Sequence, residues 1–310
     1  MKRDFTFNSS DSKTLIYVTE WLPDSAPKAI LQICHGMVEH IGRYDKFASF
    51  MAEQGIYVVG NDMIGHGRSV YEDEAFDMHG YFRQPGGMDC VIDDFHRIRV
   101  ITQRKYPGVP YFVLGFSMGS FVVRKYLMLY GNGLAGALVM GTGSQPDALL
   151  VTGKALCKTI AMSKGWHYRS EFINGLAFGS YGKKTANAME RYSWLCRNEE
   201  EIRSYGRDKW CGYCFTLNGY SEMFGLILDI QKKHNIKKTP TDFPILLASG
   251  DADPVGDFGK GVKKAYDDYI ACGKHNVTMK LYPECRHVLL AELNYEEVYA
   301  DVLNFIITNA

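Results

Sequence analysis

A short segment around Ser117 constrains the fold of this chain more than any other part of the sequence. An apolar, β-prone run from Tyr111 enters the pentapeptide Gly115-Phe-Ser-Met-Gly119, and a pattern typical of a helix follows it. This order predicts a strand, a sharp turn and a helix, with the serine hydroxyl raised above the carboxyl end of the strand. Glycines on both sides of the serine remove Cβ atoms that would otherwise collide where strand and helix approach. The segment therefore indicates a nucleophilic serine at the edge of a sheet.

The rest of the chain predicts further strands and helices in alternation. An opening hairpin is predicted from Phe5–Asn8 and Thr14–Leu22. Apolar runs that indicate buried strands lie at Ala29–Cys34, Ile56–Asp62, Ala135–Gly141, Phe243–Ser249 and Val277–Tyr282. Helical spacing of apolar residues is found at Tyr44–Gln54, Met88–Tyr106, Phe258–Ala271 and Tyr295–Asn309. Because continuous apolar runs are typical of strands covered on both faces, the sequence predicts the α/β class, with a mostly parallel central sheet and helices on both faces.

The alternation stops between residues 144 and 241. No buried-strand run occurs there, and helical patterns rich in large aromatic residues take its place. Since an unstructured loop of this length is improbable inside a compact domain, we expect a helical insertion that forms a lid over the carboxyl edge of the sheet. The predicted organisation is a core in two parts, residues 1–143 and 242–310, with the lid at 144–241. The basic run Gln231–Lys238 is expected at its solvent-exposed end.

Three candidate groups for chemistry follow three different predicted strands. They are Ser117, the aspartates Asp251 and Asp253, and His287. In open α/β sheets ligands and catalytic groups collect at the carboxyl ends of the strands, and the chain order Ser, Asp, His is that of an α/β-hydrolase triad. The residues alone do not decide which aspartate takes part, because aspartate is also a common turn former.

Charge and composition exclude several other function classes. Lysine plus arginine equals aspartate plus glutamate, 35 each, so no strong global field attracts nucleic acid or an anionic membrane. The positive start of the chain has no apolar segment behind it, and no later run is long enough to span a bilayer. Eight scattered cysteines are typical of reduced thiols rather than a disulfide scaffold. We therefore expect a cytoplasmic protein that acts on a small molecule.

Cys211-Gly-Tyr-Cys214 is the one cysteine motif with a chemical interpretation of its own. A C-x-x-C pair can bind zinc or exchange electrons, but no second cysteine pair or closely spaced histidine pair accompanies it in sequence. We expect two ordinary thiols on a helix or loop, and no metal site.

Several motifs in order give the chain a resemblance to a known family. They are His35-Gly-Met-Val-Glu-His40 with Arg43-Tyr44, Asp62-Met-Ile-Gly-His-Gly-Arg-Ser69, the serine pentapeptide, Gly250-Asp-Ala-Asp253 and His287-Val-Leu289. On these motifs the chain resembles, over essentially its whole length, the α/β-hydrolases of the monoacylglycerol lipase and lysophospholipase-like group. This group is also called the serine aminopeptidase S33 or hydrolase-4 family.

The resemblance implies a role for each matching residue. Ser117 would be the nucleophile, His287 the base, and Asp253 the acid, because the family's acid falls three residues after the glycine at position 250. The backbone N–H groups of Met37 and Met118 would form the oxyanion hole. The resemblance also implies no metal or organic cofactor, and a small ester substrate with an acyl chain, such as a monoacylglycerol or lysophospholipid.

Other functions remain open at this point. One is a broad esterase of small esters, and another is an aminopeptidase, which would need an acidic residue in the lid to bind the substrate amine. Candidates for that residue are Glu171, Glu190, Glu199, Glu200, Glu201 and Glu222. A catalytically silent binding protein would have no need for Ser117, Asp253 and His287 together. His35 and His66 lie in the motifs but are expected to satisfy backbone groups rather than to catalyse.

Overall fold

The apolar runs of the sequence form the strands of one sheet. The computed structural model describes residues 1–179, 181 and 191–310. Its strands are β1 (Lys2–Asn8), β2 (Leu15–Trp21), β3 (Ala29–Cys34), β4 (Ile56–Asn61), β5 (Tyr111–Phe116), β6 (Gly136–Met140), β7 (Ile245–Gly250) and β8 (Val277–Tyr282). They lie in the order β1-β2-β4-β3-β5-β6-β7-β8. β1 and β2 are antiparallel to each other and β2 is antiparallel to β4, whereas the remaining pairs are parallel.

Helices connect the strands and cover the sheet. In the described residues the α-helices are α1 (Asp45–Glu53), α2 (Gly87–Lys105), α3 (Met118–Tyr130), α4 (Asp147–Lys164), α5 (Glu171–Phe178), α6 (Glu199–Arg207), α7 (Leu217–Ile230), α8 (Lys233–Ile236), α9 (Lys260–Ala271) and α10 (Tyr295–Asn309). The predicted fold class is confirmed. Three starts were wrong by two or three residues: β1 begins at Lys2 rather than Phe5, β7 at Ile245 rather than Phe243, and α9 at Lys260 rather than Phe258. The start of α9 is later because Asp257 and Phe258 have φ values of 48° and 55°, outside the helical region.

Alternate residues of the central strands point to opposite layers. On β5, Tyr111 and Val113 pack into the layer that contains apolar residues of α2, α3 and α9. Phe112 and Leu114 pack into the opposite layer, with apolar residues of α1 and α10. Every residue of β5 is buried. Two apolar layers therefore hold the central strands rigidly, and with them the loops at their carboxyl ends.

Helices α4 to α8 lie between β6 and β7, in the stretch where the sequence predicted an insertion. No strand occurs in the part of residues 144–241 that the structure describes. Polar side chains define three of the helix starts, since Ser170, Asn198 and Thr216 each accept a hydrogen bond from a first-turn N–H group. The basic run is partly folded: α8 includes the buried Asn235 and Ile236 between exposed lysines.

None of the helices described in this structure is both long and apolar enough to cross a bilayer.

Candidate active site

Ser117 occupies a strained turn between β5 and α3. Its φ and ψ are 52° and −120°, a conformation that non-glycine residues rarely adopt. A Cβ atom on Gly115 would lie 2.3 Å from the carbonyl oxygen of Gly119, and one on Gly119 would lie 2.1 Å from the carbonyl oxygen of Cys34. The two glycines thus allow β5, α3 and the neighbouring strand β3 to approach one another closely at this point. The turn holds the serine side chain, which is partly exposed, above the sheet edge.

A chain of hydrogen bonds joins Ser117 to two residues from later strand ends. The Nε2 atom of His287 lies 2.8 Å from the Oγ atom of Ser117. The Nδ1 atom of the same ring lies 2.9 Å from the Oδ2 atom of Asp253. Since Nδ1 faces a carboxylate, it carries the ring proton and Nε2 is left to accept one from the serine hydroxyl.

The two aspartates considered in the sequence have different surroundings. Asp253 is fully buried, and its carboxylate also accepts hydrogen bonds from the Ser249 hydroxyl at 3.1 Å and the Val255 N–H at 2.8 Å. Asp251 is exposed, and its Oδ1 atom accepts a hydrogen bond from the Glu284 N–H at 2.7 Å. The structure therefore brings Asp253 to His287, whereas Asp251 braces a turn beside the site.

A partly buried ion pair, not anticipated from the sequence, supports the loop that carries His287. Glu292 is fully buried and binds the guanidinium of Arg197 at 2.9 Å. It also accepts a hydrogen bond from the Arg286 N–H at 2.7 Å. The Val288 N–H donates to the Leu195 carbonyl oxygen at 2.6 Å. These contacts join residues on both sides of His287 to the stretch that precedes α6, and nothing in the spacing of the sequence indicated them.

Two aromatic side chains contact the imidazole of His287. The Phe116 ring lies 4.8 Å from it and the Trp194 ring 5.3 Å, measured between ring centroids. With these two contacts and the hydrogen bond to Asp253, His287 is only 2% exposed. Trp194 belongs to the aromatic-rich stretch noted in the sequence, but its position above the site depends on the tertiary structure.

Met37 and Met118, expected to supply the oxyanion donors, line the same cavity as Ser117 and His287. Met118 is the first residue of α3, so its N–H group has no partner within the helix and lies at the positive end of the helix dipole. Met37 lies in the loop after β3, next to Gly36, whose N–H donates to the Glu39 carboxylate at 2.5 Å. The contact with Glu39 holds the backbone of this loop.

Glu39 is the centre of a buried polar cluster under that loop. Its carboxylate also accepts hydrogen bonds from the Tyr44 hydroxyl at 2.8 Å and from the Arg43 guanidinium at 3.1 Å. Burial, together with the neighbouring carboxylate, raises the pKa of Tyr44 well above its ordinary value. The cluster is thus a neutral phenol and a charge pair, and it fixes the position of the main chain at Gly36.

His35 and His66 are fully buried and contact backbone groups. The Nε2 atom of His35 accepts the Met63 N–H at 3.0 Å, and its Nδ1 atom lies 2.7 Å from the Gly36 carbonyl oxygen. The Nδ1 atom of His66 lies 3.0 Å from the Ile64 carbonyl oxygen. Burial lowers the pKa of both imidazoles, that of His66 strongly. Both rings are neutral parts of the scaffold.

A cavity of about 680 Å³ opens above Ser117 and His287. Its walls are mostly apolar and come from the loop after β3 and from α4, α5 and α7; they include Leu150, Leu156, Ile173, Met223, Phe224 and Ile227. Among the described residues, Glu39 is the only carboxylate that lines it. Of the glutamates considered as amine anchors, Glu190 lies outside the described residues. The other glutamates, which are described, are absent from the lining. Glu201 binds the Arg43 guanidinium, and Glu222 accepts a hydrogen bond from the Met88 N–H.

A family model described as "Serine aminopeptidase, S33" matches residues 25–294. Among curated proteins, a monoglyceride lipase of Mus musculus is 27% identical over 90% of this chain and 81% of its own length. A monoglyceride lipase homolog of Monkeypox virus is 40% identical, but the match spans only 34% of this chain and 36% of that protein.

Among solved structures, a thermostable carboxyl esterase from Bacillus coagulans in complex with glycerol superimposes with a TM-score of 0.90. It is 24% identical to this chain, and the superposition covers 99% of this chain and 98% of the esterase. At this identity the likeness shows a shared α/β-hydrolase fold.

Proposed function

The chain belongs to the serine aminopeptidase S33 family of hydrolases, and on that premise we propose that it is a serine hydrolase of carboxylic esters that carry a single acyl chain. The favoured substrates are monoacylglycerols, lysophospholipids and similar esters. The observation that carries the proposal is the hydrogen-bonded chain from Ser117 through His287 to Asp253, which opens into a largely apolar cavity. Relatives that are monoglyceride lipases support the choice of substrate class.

In the first half of the reaction, Ser117 forms the acyl-enzyme. Its Oγ atom attacks the ester carbonyl carbon while Nε2 of His287 takes the hydroxyl proton. The tetrahedral intermediate then collapses, the bond to the alcohol oxygen breaks, and His287 returns the proton to that oxygen. Asp253 stabilises the imidazolium that exists between these steps and holds the ring in the required tautomer.

In the second half, water replaces the alcohol. His287 takes a proton from the water, whose oxygen attacks the acyl carbon, and the proton then passes to Oγ of Ser117 as the carboxylic acid leaves. No proton or electron is gained or lost by the enzyme over the cycle.

The main-chain N–H groups of Met37 and Met118 would stabilise the oxyanion of both tetrahedral intermediates. Removing one such donor in a characterised protease costs about 3 kcal/mol of transition-state stabilisation. The buried Glu39 cluster contributes indirectly, because it fixes the backbone from which Met37 projects its N–H group.

The helices between β6 and β7 would act as the lid and supply the acyl-binding wall. Ligand pockets are mostly apolar with a few polar anchors, and their usual volume, about 300 to 1,000 Å³, includes the size of this cavity. An aminopeptidase is the second candidate, suggested by the family's name. It is less well supported, since no glutamate considered as an amine anchor lines the described part of the cavity.

The test is a series of monoacylglycerols and aryl esters of increasing chain length, together with aminoacyl arylamides. We expect hydrolysis of medium and long acyl esters, with kcat/KM well above that for acetyl esters and for arylamides. If acetyl esters are hydrolysed best by a wide margin, the protein is a small-ester esterase. If arylamides with a free amine are preferred, it is an aminopeptidase. A fluorophosphonate that leaves Ser117 unlabelled would indicate a silent binding protein.

A further inference from the structure

A second cluster of reactive side chains lies outside the catalytic chain of hydrogen bonds. One donor atom each from His40, Asp208 and Cys211 lies within 4.8 Å of the other two, and all three residues are partly exposed. We propose that these side chains form a binding site for a thiophilic divalent metal ion, with Zn²⁺ as the expected ion. The site uses the first cysteine of the Cys211-Gly-Tyr-Cys214 motif and does not use the second.

A tight turn after α6 brings two of the donors together. The Cys211 N–H donates to the Asp208 carbonyl oxygen at 3.0 Å, which closes a turn with the two side chains at its ends. The Oδ1 atom of Asp208 accepts the Trp210 N–H at 2.9 Å, and its Oδ2 atom faces the Nε2 atom of His40 at 2.8 Å. One carboxylate oxygen is therefore held by the backbone, and the other is directed at the third donor.

The third donor comes from a distant part of the sequence. His40 lies 168 positions before Asp208, in the loop after β3. Two hydrogen bonds to the Val38 carbonyl oxygen hold this loop against the turn, from the Gly212 N–H and the Tyr205 hydroxyl, both at 3.1 Å. The Trp210 ring packs edge-on against the His40 imidazole at 5.2 Å. The donors are thus placed by contacts that need no metal ion.

The donor types select the ion. Imidazole, carboxylate and thiolate suit Zn²⁺ and the related Co²⁺ and Cd²⁺, whereas Mg²⁺ and Ca²⁺ prefer oxygen ligands alone. Three protein ligands leave a fourth tetrahedral position for water. Ligation replaces the thiol proton, which is released to solvent, so one thiolate and one carboxylate balance the charge of the ion. Arg43 also lies beside Cys211, but its charge is neutralised by Glu39 and Glu201.

The geometry requires only small movements. Zinc bond lengths of about 2.0 to 2.3 Å correspond to separations of about 3.3 to 3.8 Å between tetrahedral ligand atoms. The hydrogen bond between His40 and Asp208, 2.8 Å long, must open by about 0.5 to 1 Å, and donor pairs near the upper limit of 4.8 Å must close by about 1 Å. Rotation of the three side chains supplies such shifts without a change in the backbone.

An ion bound here would join the loop that contains Met37 to the turn after α6. Because the donors come from segments that separate on unfolding, the ion binds the folded chain in preference, and it stabilises that state by mass action. The expected effect is a melting temperature that rises with the Zn²⁺ concentration.

The experiment titrates Co²⁺ into metal-stripped Ser117→Ala protein, in which hydrolysis plays no part, and follows the thiolate-to-cobalt charge-transfer absorption. We expect the absorption to appear, to be displaced by Zn²⁺, to be lost in Cys211→Ser and to persist in the matched variant Cys214→Ser. His40→Ala and Asp208→Asn should each weaken binding by about tenfold or more.

Three results would overturn the proposal. They are no charge-transfer absorption in the parent protein, an absorption that persists in Cys211→Ser, and affinities in His40→Ala and Asp208→Asn equal to that of the parent. If Cys211→Ser does not fold, the two other ligand variants decide the question, because Cys211 is intact in both.

Discussion

The Nε2 atom of His287 lies 2.8 Å from the Oγ atom of Ser117, although 170 positions separate the two residues in the chain. This contact exists because β5 and β8 end at the same edge of one sheet. It makes Ser117 the group whose proton His287 is placed to accept. We expect Ser117→Ala to lower kcat for ester hydrolysis by about 10⁴-fold or more. Hydrolysis that survives in purified Ser117→Ala protein would exclude the acyl-enzyme mechanism.

The acid can be tested with two aspartates that lie two positions apart. Asp253→Asn should lower kcat by about 10⁴-fold, the effect of the equivalent change in a characterised protease, because an amide cannot hold the imidazole in the same tautomer or stabilise its charge. Asp251→Asn should retain most activity, since the amide oxygen can still accept the Glu284 N–H. Steady-state kinetics of both variants check this, and the opposite ranking would transfer the role to Asp251.

Because α3 approaches β3 closely at Gly119, we expect that a larger residue is not tolerated at this position. A Cβ atom on Gly119 would lie 2.1 Å from the Cys34 carbonyl oxygen and 2.4 Å from that of His35, both backbone atoms. We expect Gly119→Ala to lower the free energy of unfolding by about 1 to 3 kcal/mol, the range for overpacked sites, and to displace the loop that carries Met37. Urea unfolding and kcat measure the two effects.

The matched control for that substitution is Gly175→Ala in α5. Outside the backbone of its own helix, no atom of the described residues lies within 4 Å of the added Cβ, and alanine favours a helix interior over glycine by about 0.5 to 1 kcal/mol. Gly175→Ala should therefore be neutral or stabilising. Equal losses of stability in the two variants would contradict the steric explanation.

Because two histidines are buried, we expect the free energy of unfolding to fall in mild acid. Burial lowers the pKa of His35 and of His66 below the ordinary value of 6.5, so the unfolded chain binds protons that the folded chain does not. The free energy of unfolding is therefore unaffected by these histidines above the pKa that they have in the unfolded chain, about 6.5. It declines as the pH falls below that value, by up to about 1.4 kcal/mol per pH unit for each imidazole.

Urea unfolding at about pH 7.5 and pH 5.5 measures this decline. His66→Phe keeps an aromatic ring among Phe82, Tyr213 and Phe215 and removes one titrating group. The pH dependence of unfolding should be shallower in this variant. The same dependence in His66→Phe and in the parent would show that the His66 imidazole is not held neutral.

Two neighbouring residues of α4 allow a test of the cavity wall, because one lines the cavity and the other is exposed to solvent. Leu150 lines the cavity and is 3% exposed, whereas Val151 is 57% exposed and is not among the lining residues. We expect Leu150→Trp to shorten the acyl site and to lower kcat/KM for long-chain esters by about tenfold or more relative to short ones, since each methylene in an apolar pocket carries discrimination of that order. Val151→Trp should leave the ratio unchanged. A chain-length profile that is the same in both variants would show that the acyl chain binds elsewhere.

The sequence by itself determined the fold class, the bounds of most strands and helices, and the place of Ser117 on a turn between strand and helix. These depend on local patterns: apolar runs of buried strands, helical spacing, and glycines that no larger residue can replace. The strand ends also indicated Ser117 and His287 as candidates. From the residues alone, however, Asp251 and Asp253 remained equivalent, because both follow the same strand and aspartate serves equally well in a turn.

Only the tertiary structure decided which of these groups meet. Burial of Asp253 against His287 and the ion pair of Glu292 with Arg197 both join residues that are distant in sequence. The same is true of His40 with Asp208 and Cys211, since a ligand spacing read along one segment cannot reveal a donor from another strand end. Such contacts have no periodic signal in the sequence. They follow from how the sheet aligns its strand ends and from which side chains then fill the space between them.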